Sequence, residues 1–301
     1  MTPREFDPEK FIDREFETEL FENLLQFNDQ ARILAIKDKR GMGKSHLLAK
    51  LQYRCRVIKP RIPVSFIPLD QLEDARPYGL VNRIAQDLQN MALEFPDYAL
   101  YNGALRLGDF KRFLTVMDLR SANFAGAQGA RFSGTNLNFE NVESVVYEDP
   151  VPFSPQQQGF AEEGCITAFF NDLTKSAAET PVVLMFDAYE KCEEKLQAWI
   201  EEYLLDKYFF NLEQRPKKLL LVLAGREVPA FENRWGVEDS KTVVSFVKEL
   251  RKWKREHIEA LLRVHGFVYS EEQLDLVAAM SENDTSPSMI LEVIHFVFNR
   301  A

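Results

Sequence analysis

A short apolar run, RILAIK, leads straight into DKRGMGKSHLL, spanning Asp38 to Leu48. No other stretch restricts the fold of this chain as much. A buried strand, a glycine-containing turn and a helix beginning at a Lys-Ser pair are the parts of a phosphate-binding loop with the pattern G-x-x-x-x-G-K-[ST]. Asp38 stands where that pattern has its first glycine. A helix start presents unpaired N–H groups and a partial positive charge, so a glycine loop entering one forms a cradle for phosphates. The expected cradle is Arg40, Gly41, Met42, Gly43, Lys44, Ser45 and His46. Lys44 would reach the β- and γ-phosphates of ATP, and the Ser45 hydroxyl would take a place on Mg²⁺. The side chain of Asp38 is expected to point away from the phosphates, close to Lys39 and Arg40.

If residues 32–37 form a buried strand, its neighbours should be similar. IPVSFIPL, PVVLMFD and KLLLVLAGR are apolar runs of that kind, and TVVSFVKEL is a weaker fifth. Continuous Val/Leu runs fit parallel strands covered on both faces. EFETELFENLLQF, with Phe16, Leu20, Phe21, Leu24 and Leu25 on one face, is helical by its spacing. So are KSHLLAKLQYRC, with Leu47, Leu48 and Leu51 inward, and YGLVNRIAQDLQNMALEF, DFKRFLTVM, CITAFFNDLTKSAAE and CEEKLQAWIEEYLLDKYFF. Beyond TVVSFVKEL only helices remain: KREHIEALLRVHGF, SEEQLDLVAAMSE and PSMILEVIHFVFNR. The expected organisation is an α/β core over residues 1–251 and a small all-helical domain over 252–301. Residues 121–143 are glycine-rich with a loose five-residue rhythm like a fragment of a pentapeptide-repeat β-helix. The rhythm slips, so an insertion spanning about 118–158 is expected there.

The strand ends supply the remaining chemistry. Asp187 closes VVLMFD, where its charge would face Ser45 across a Mg²⁺ ion. Glu190, three residues on, is placed to polarise an attacking water. Arg226 closes LVLAGR, where a guanidinium bonds a γ-phosphate that ADP lacks.

These segments, taken together, resemble the STAND class of signal-transduction ATPases, relatives of the AAA+ proteins. FIDREFETELF is similar to the class's N-terminal motif, DKRGMGKSHLL to its phosphate loop, VVLMFDAYE to its Mg²⁺ segment and VLAGR to its sensor strand. LRKWKREHIEALLRVHGF and DTSPSMILEVI are similar to its helical lid. The resemblance implies a P-loop NTPase fold of the ASCE type, a parallel sheet sandwiched by helices and followed by a lid. It also implies ATP/ADP and Mg²⁺ as cofactors, with Arg14 and Pro287 against the nucleotide base. The implied role is a slowly hydrolysing switch in signalling or defence, which assembles with itself or with a separately encoded effector. The chain departs from the class pattern at Asp13, Asp38 and Thr285, which replace glycines, and at Ala188, which stands where a second acid is usual. The winged-helix and repeat domains common in the class have no counterpart in these 301 residues. Two other readings stay open: a protein that holds nucleotide without turnover, and a DNA-loading ATPase that uses the basic stretch KELRKWKREH.

Charge bears on that last reading. The net charge is −10, which repels nucleic acid and acidic membranes over long range, so neither is an expected partner. Cys55, Cys165 and Cys192 show no metal or disulfide spacing. No secretion signal or membrane-length apolar run is present, and a soluble cytoplasmic protein is expected.

Overall fold

The computed structural model describes residues 11–125, 151–282 and 286–298. The glycine-rich segment therefore lies almost wholly outside the described residues, as does Thr285.

The described chain forms two compact units, residues 94–175 and the remainder on either side of them. The larger unit holds a five-stranded parallel sheet in the order β2-β3-β4-β1-β5. Its strands are β1 (Ile33–Lys37), β2 (Val64–Pro68), β3 (Val182–Asp187), β4 (Leu219–Gly225) and β5 (Val244–Val247). All five were legible as apolar runs. Every residue of β3 and β4 is buried, so both sheet faces are covered, as expected of a parallel sheet. On one face Leu34, Ile36, Met185, Leu220 and Val222 pack with Phe21 and Leu24 of α1 (Glu15–Leu24) and with Leu47, Leu48 and Leu51 of α2 (Lys44–Val57). Each of the three α2 leucines is completely buried, a contribution of about 1.5–3 kcal/mol apiece.

Phe16 departs from the expected inward face of α1. It is 48% exposed, at the first turn, with the Arg251 guanidinium 4.9 Å from its ring centre. The neighbouring helical expectation for 78–95 is also corrected. α3 (Pro77–Gln89) stops early, Ala92 takes a left-handed conformation, and a new helix, α4 (Pro96–Arg106), begins at a proline. Proline lacks the N–H that a continuing helix would donate and forces the preceding residue out of helical geometry, so one helix becomes two.

The smaller unit is helical, built from α4, α5 (Phe110–Ala125) and most of α6 (Pro155–Glu179). Phe95 and Tyr98 pack on Phe169, and Tyr101 meets Phe113 edge-on. The Asp172 carboxylate accepts from the N–H groups of Asp97 and Tyr98 at 2.7 and 3.0 Å, satisfying donors that the start of α4 cannot pair internally.

In the larger unit, α7 (Glu194–Trp199) runs on into a π-helical stretch over Ile200–Phe210, and α8 (Phe231–Trp235) and α9 (Val237–Val243) lie between β4 and β5. Beyond β5 come α10 (Arg255–Val264), α11 (Glu271–Met280) and α12 (Pro287–Phe298), which share an apolar cluster including Trp253, Leu262, Leu274, Val277 and Ile290. The three cysteines are buried free thiols. Burial pushes Cys55 and Cys165 up to about 12 and Cys192 to about 11, which leaves them as thiols rather than reactive thiolates. No helix among the described residues is long and apolar enough to cross a membrane.

Candidate functional site

Because the strands are parallel, their C-terminal ends bring Asp38, Asp187 and Arg226 to one edge of the sheet. Asp38 N–H donates to the Gly225 carbonyl at 3.2 Å, which sets the start of the loop beside the end of β4. Gly41 and Gly43 both have φ of 87°, a left-handed backbone that costs other residues roughly 1–2 kcal/mol. Gly43 is the residue from which α2 starts, so the free N–H groups of that helix open into the loop. A Cβ on Gly41 would lie 2.2 Å from the Ser288 Oγ, and one on Gly43 would lie 3.8 Å from Pro287. The start of α12 therefore rests directly on the loop, and Ser288 N–H reaches the Gly41 carbonyl at 3.4 Å.

Lys44 Nζ donates to the carbonyls of Asp38 at 2.5 Å and Lys39 at 2.7 Å. Its pKa is lowered by burial, against the charges of Asp38, Glu190 and Asp187 that favour the ammonium. The same interactions show that Lys44, Glu190, Asp187 and Arg226 share one electrostatic neighbourhood. Asp187 is buried; its carboxylate accepts the Ser45 hydroxyl and, at 2.8 Å, the Ala188 N–H. Burial pushes the Asp187 pKa up despite those two bonds. A hydroxyl and a buried carboxylate side by side are hard oxygen donors of the kind Mg²⁺ takes, so the residues present fit that ion.

Glu190, the residue expected to polarise an attacking water, is bonded to Arg226. Its Oε2 accepts the Arg226 N–H at 2.9 Å and its Oε1 the Arg226 Nε at 2.8 Å. Burial opposes ionisation of Glu190, but the Arg226 bonds outweigh it and hold the carboxyl below its usual range. The two residues assigned separate tasks are thus each other's partners.

Asp38 and Arg14 do something the motif pattern does not describe. Asp38 Oδ2 accepts the Leu250 N–H at 2.7 Å and Oδ1 accepts the Lys39 N–H at 2.7 Å. Arg14, buried, donates from Nη2 to the Met42 carbonyl at 3.0 Å and from Nη1 to the Arg251 carbonyl at 2.7 Å and to Asp13 at 2.9 Å. The loop is therefore clasped at two points to the segment Leu250–Arg251 that leads into α10. Arg40 and His46 are exposed. Two buried side-chain atoms have no hydrogen-bond partner among the described residues, Glu17 Oε2 and Trp253 Nε1. Trp253 packs in the cluster of α10–α12, so the aromatic of the basic stretch is inside and not on a surface facing nucleic acid.

Sequence reasoning missed Asp70, which acts on the charge of Asp187 and pairs with Lys191 at 2.7 Å. It follows β2, whose Pro68 lies opposite Asp187 in the sheet, so the rule that found Asp187, an acid past a buried strand, applies to it as well. The Ser286 and Ser288 hydroxyls carry no comparable signal.

Removing the Asp38 carboxylate tests the clasp. Asp38→Gly leaves the Leu250 N–H without its acceptor and is expected to cost roughly 1–3 kcal/mol of stability. ATP affinity should change by less than about tenfold, or about 1.4 kcal/mol, because both carboxylate oxygens are engaged by main-chain N–H groups, those of Leu250 and Lys39. Denaturant midpoints and ATP titrations check both parts, and markedly tighter ATP binding would place the carboxylate against the phosphates.

No protein-family model matches the chain, and no curated protein matches it. Among solved structures, it resembles a Walker-type ATPase of Pyrococcus abyssi, with TM-score 0.48 and 14% identity over 100% of this chain and 72% of that one. It also resembles the ORC2 protein of Aeropyrum pernix, with TM-score 0.50 and 10% identity over 98% of this chain. The chain spans 64% of that protein's length. The likeness to the second, with the 2-3-4-1-5 strand order, shows a P-loop NTPase fold.

Proposed function

We propose that this chain is an ATP-binding switch of the STAND class, hydrolysing slowly, with residues 252–301 as a lid whose position reports the bound nucleotide. The observation that carries this reading is the start of α12 seated on Gly41 and Gly43, while Lys44, Ser45, Asp187, Glu190 and Arg226 gather beside the same loop. A phosphate chain in the cradle would lie beneath Pro287 and Ser288, so a change in that chain would be felt first by the lid. The Aeropyrum pernix ORC2 protein was solved as ADPNP and ADP complexes, which supports a nucleotide as the ligand of this fold.

Within the site, the Gly41–Ser45 N–H groups would hold the phosphates and Lys44 would neutralise them. Ser45 and Asp187 would hold Mg²⁺, which supplies charge neutralisation at the phosphate oxygens. Output would run through assembly with a second copy or a separate effector.

ATP at about 100 times Kd is expected to stabilise the protein by roughly 2.7 kcal/mol, a rise in melting temperature of about 4 °C. Lys44→Ala should abolish the shift. Absence of any shift with ATP or ADP, in protein shown to be nucleotide-free, refutes the reading. A second reading, nucleotide held without turnover, is favoured by the engagement of Glu190 with Arg226. Steady-state ATPase assays separate the two: Mg²⁺-dependent turnover lost in Lys44→Ala excludes the second.

A further inference from the structure

At the opposite end of β1 and β4 from the phosphate loop the chain concentrates positive charge. Arg32 heads β1, and the run Arg215-Pro216-Lys217-Lys218 heads β4. The two strands are neighbours, with Ile33 opposite Leu221, so these leading residues converge. They line a cavity of about 360 Å³ together with Phe27 and Leu212. Four cations and no carboxylate are among its lining residues, in a protein whose net charge is −10.

The guanidinium of Arg32 is buried and rigidly placed. Its Nη1 donates to the Asp29 and Ala31 carbonyls, both at 2.7 Å, its Nε to the Lys217 carbonyl at 3.3 Å, and its Cζ lies 5.0 Å from the Phe27 ring centre. Arg215 Nη1 bonds the Gln30 carbonyl at 3.0 Å and the Phe209 carbonyl at 3.4 Å. Lys218 Nζ bonds the Glu179 carbonyl at 2.6 Å. These acceptors are neutral, so the positive charges are oriented but not balanced. The exposed Asp29 carboxylate, 3.9 Å from Arg32 Nη1, offsets part of the charge of Arg32. Arg32 Nη2, Arg215 Nε and Nη2, and Lys217 Nζ have no partner among the described residues. Burial and then the charge of Arg215 both act against the Arg32 cation, and burial acts against Arg215.

We propose that this cavity is a second anion site, taking the phosphate or diphosphate group of a small phosphorylated molecule. Arg215, held by carbonyls at Nη1 alone, keeps its Nε–Nη2 edge as a preorganised fork of two parallel N–H groups for phosphate oxygens, and Arg32 adds the N–H groups of its Nη2. Phe27 and Leu212 give the organic part an apolar wall, and the volume lies at the small end of the range of small-molecule sites. A concave site on an acidic protein suits a small anion better than a nucleic-acid backbone, which the net charge repels. Its place gives it reach, because β1 and β4 continue from it to Asp38 and Arg226.

Pyrophosphate titration by calorimetry on the full chain tests the proposal, with Lys44→Ala used to disable the phosphate loop. Saturable binding is expected to persist in Lys44→Ala and to weaken at least about tenfold, or 1.4 kcal/mol, when Lys217→Glu is added. Lys217 is exposed and its side chain makes no hydrogen bond or ion pair among the described residues, so this variant should fold as the parent does; Arg215→Gln, whose carbonyl bonds hold a turn, is the companion with a folding control. Loss of binding in Lys44→Ala, indifference to Lys217→Glu, or no saturation up to about 10 mM overturns it. So does duplex DNA binding that Lys217→Glu abolishes while pyrophosphate fails to bind. This result stands apart from the ATP reading, which fails or survives on Lys44 alone.

Discussion

Glu190→Gln is expected to lower ATP turnover by about 10²-fold or more while leaving ATP affinity within a few-fold of the parent. A carboxylate that polarises the attacking water acts in the transition state and hardly at all in the ground state, so its loss should appear in kcat and not in binding. The structure adds a condition. The main-chain N–H of Arg226 holds Oε2 of Glu190 and its guanidinium holds Oε1, so Oε1 becomes available only when the guanidinium turns to another anion, and a γ-phosphate is such an anion. Arg226→Gln is therefore the control: it should also slow turnover, but with weakened discrimination between ATP and ADP, which Glu190→Gln retains. Single-turnover hydrolysis with separate ATP and ADP titrations reads both effects. Parent-rate hydrolysis by Glu190→Gln would falsify its role as the base and leave it a strap for Arg226.

Asp187→Asn should be the more damaging change. An amide keeps the shape of the carboxylate and can still accept from Ala188 and Ser45, so the fold should hold. What it loses is the negative charge that would oppose Mg²⁺ across from Ser45. Metal stabilisation of phosphoryl charge is worth several kcal/mol, so turnover should fall by about 10²–10³-fold or more. ATP binding should weaken in Mg²⁺ and stay at the parent value in EDTA. Equal affinity in both conditions for parent and variant would remove Asp187 from the metal site.

The parts of this site that could be read from the sequence are those whose logic is local. The strand, the glycines with left-handed φ and the Lys-Ser pair sit within fourteen residues of one another from Arg32 to Ser45, and Asp187 and Arg226 each end an apolar run. The hidden parts depend on distant main-chain atoms. Nothing about Asp38 discloses that its partner is the N–H of Leu250, or about Arg14 that its partners are the carbonyls of Met42 and Arg251. Glu190 and Arg226 were each legible as chemistry, yet their mutual bond was not, because pairing between strand ends depends on the order of strands in the sheet. α4 was missed for another reason: the helical spacing of residues 78–95 hid the left-handed Ala92, and the proline at 96 was not read as a new beginning.

The clasp on Leu250–Arg251 grips main-chain atoms only, an N–H at one residue and a carbonyl at the next. These bonds therefore depend on the side chains of Asp38 and Arg14 and on no side chain of the segment they hold, although Leu250 is kept by its buried place in the core. Arg251 is free to drift through most side chains over generations without loosening the grip. Proline at 250, which has no N–H, would break the bond to Asp38 outright. The connection between the loop and the segment leading into α10 is in this way robust to variation at Arg251 and brittle at the other end, so its history should be recorded at positions 14 and 38.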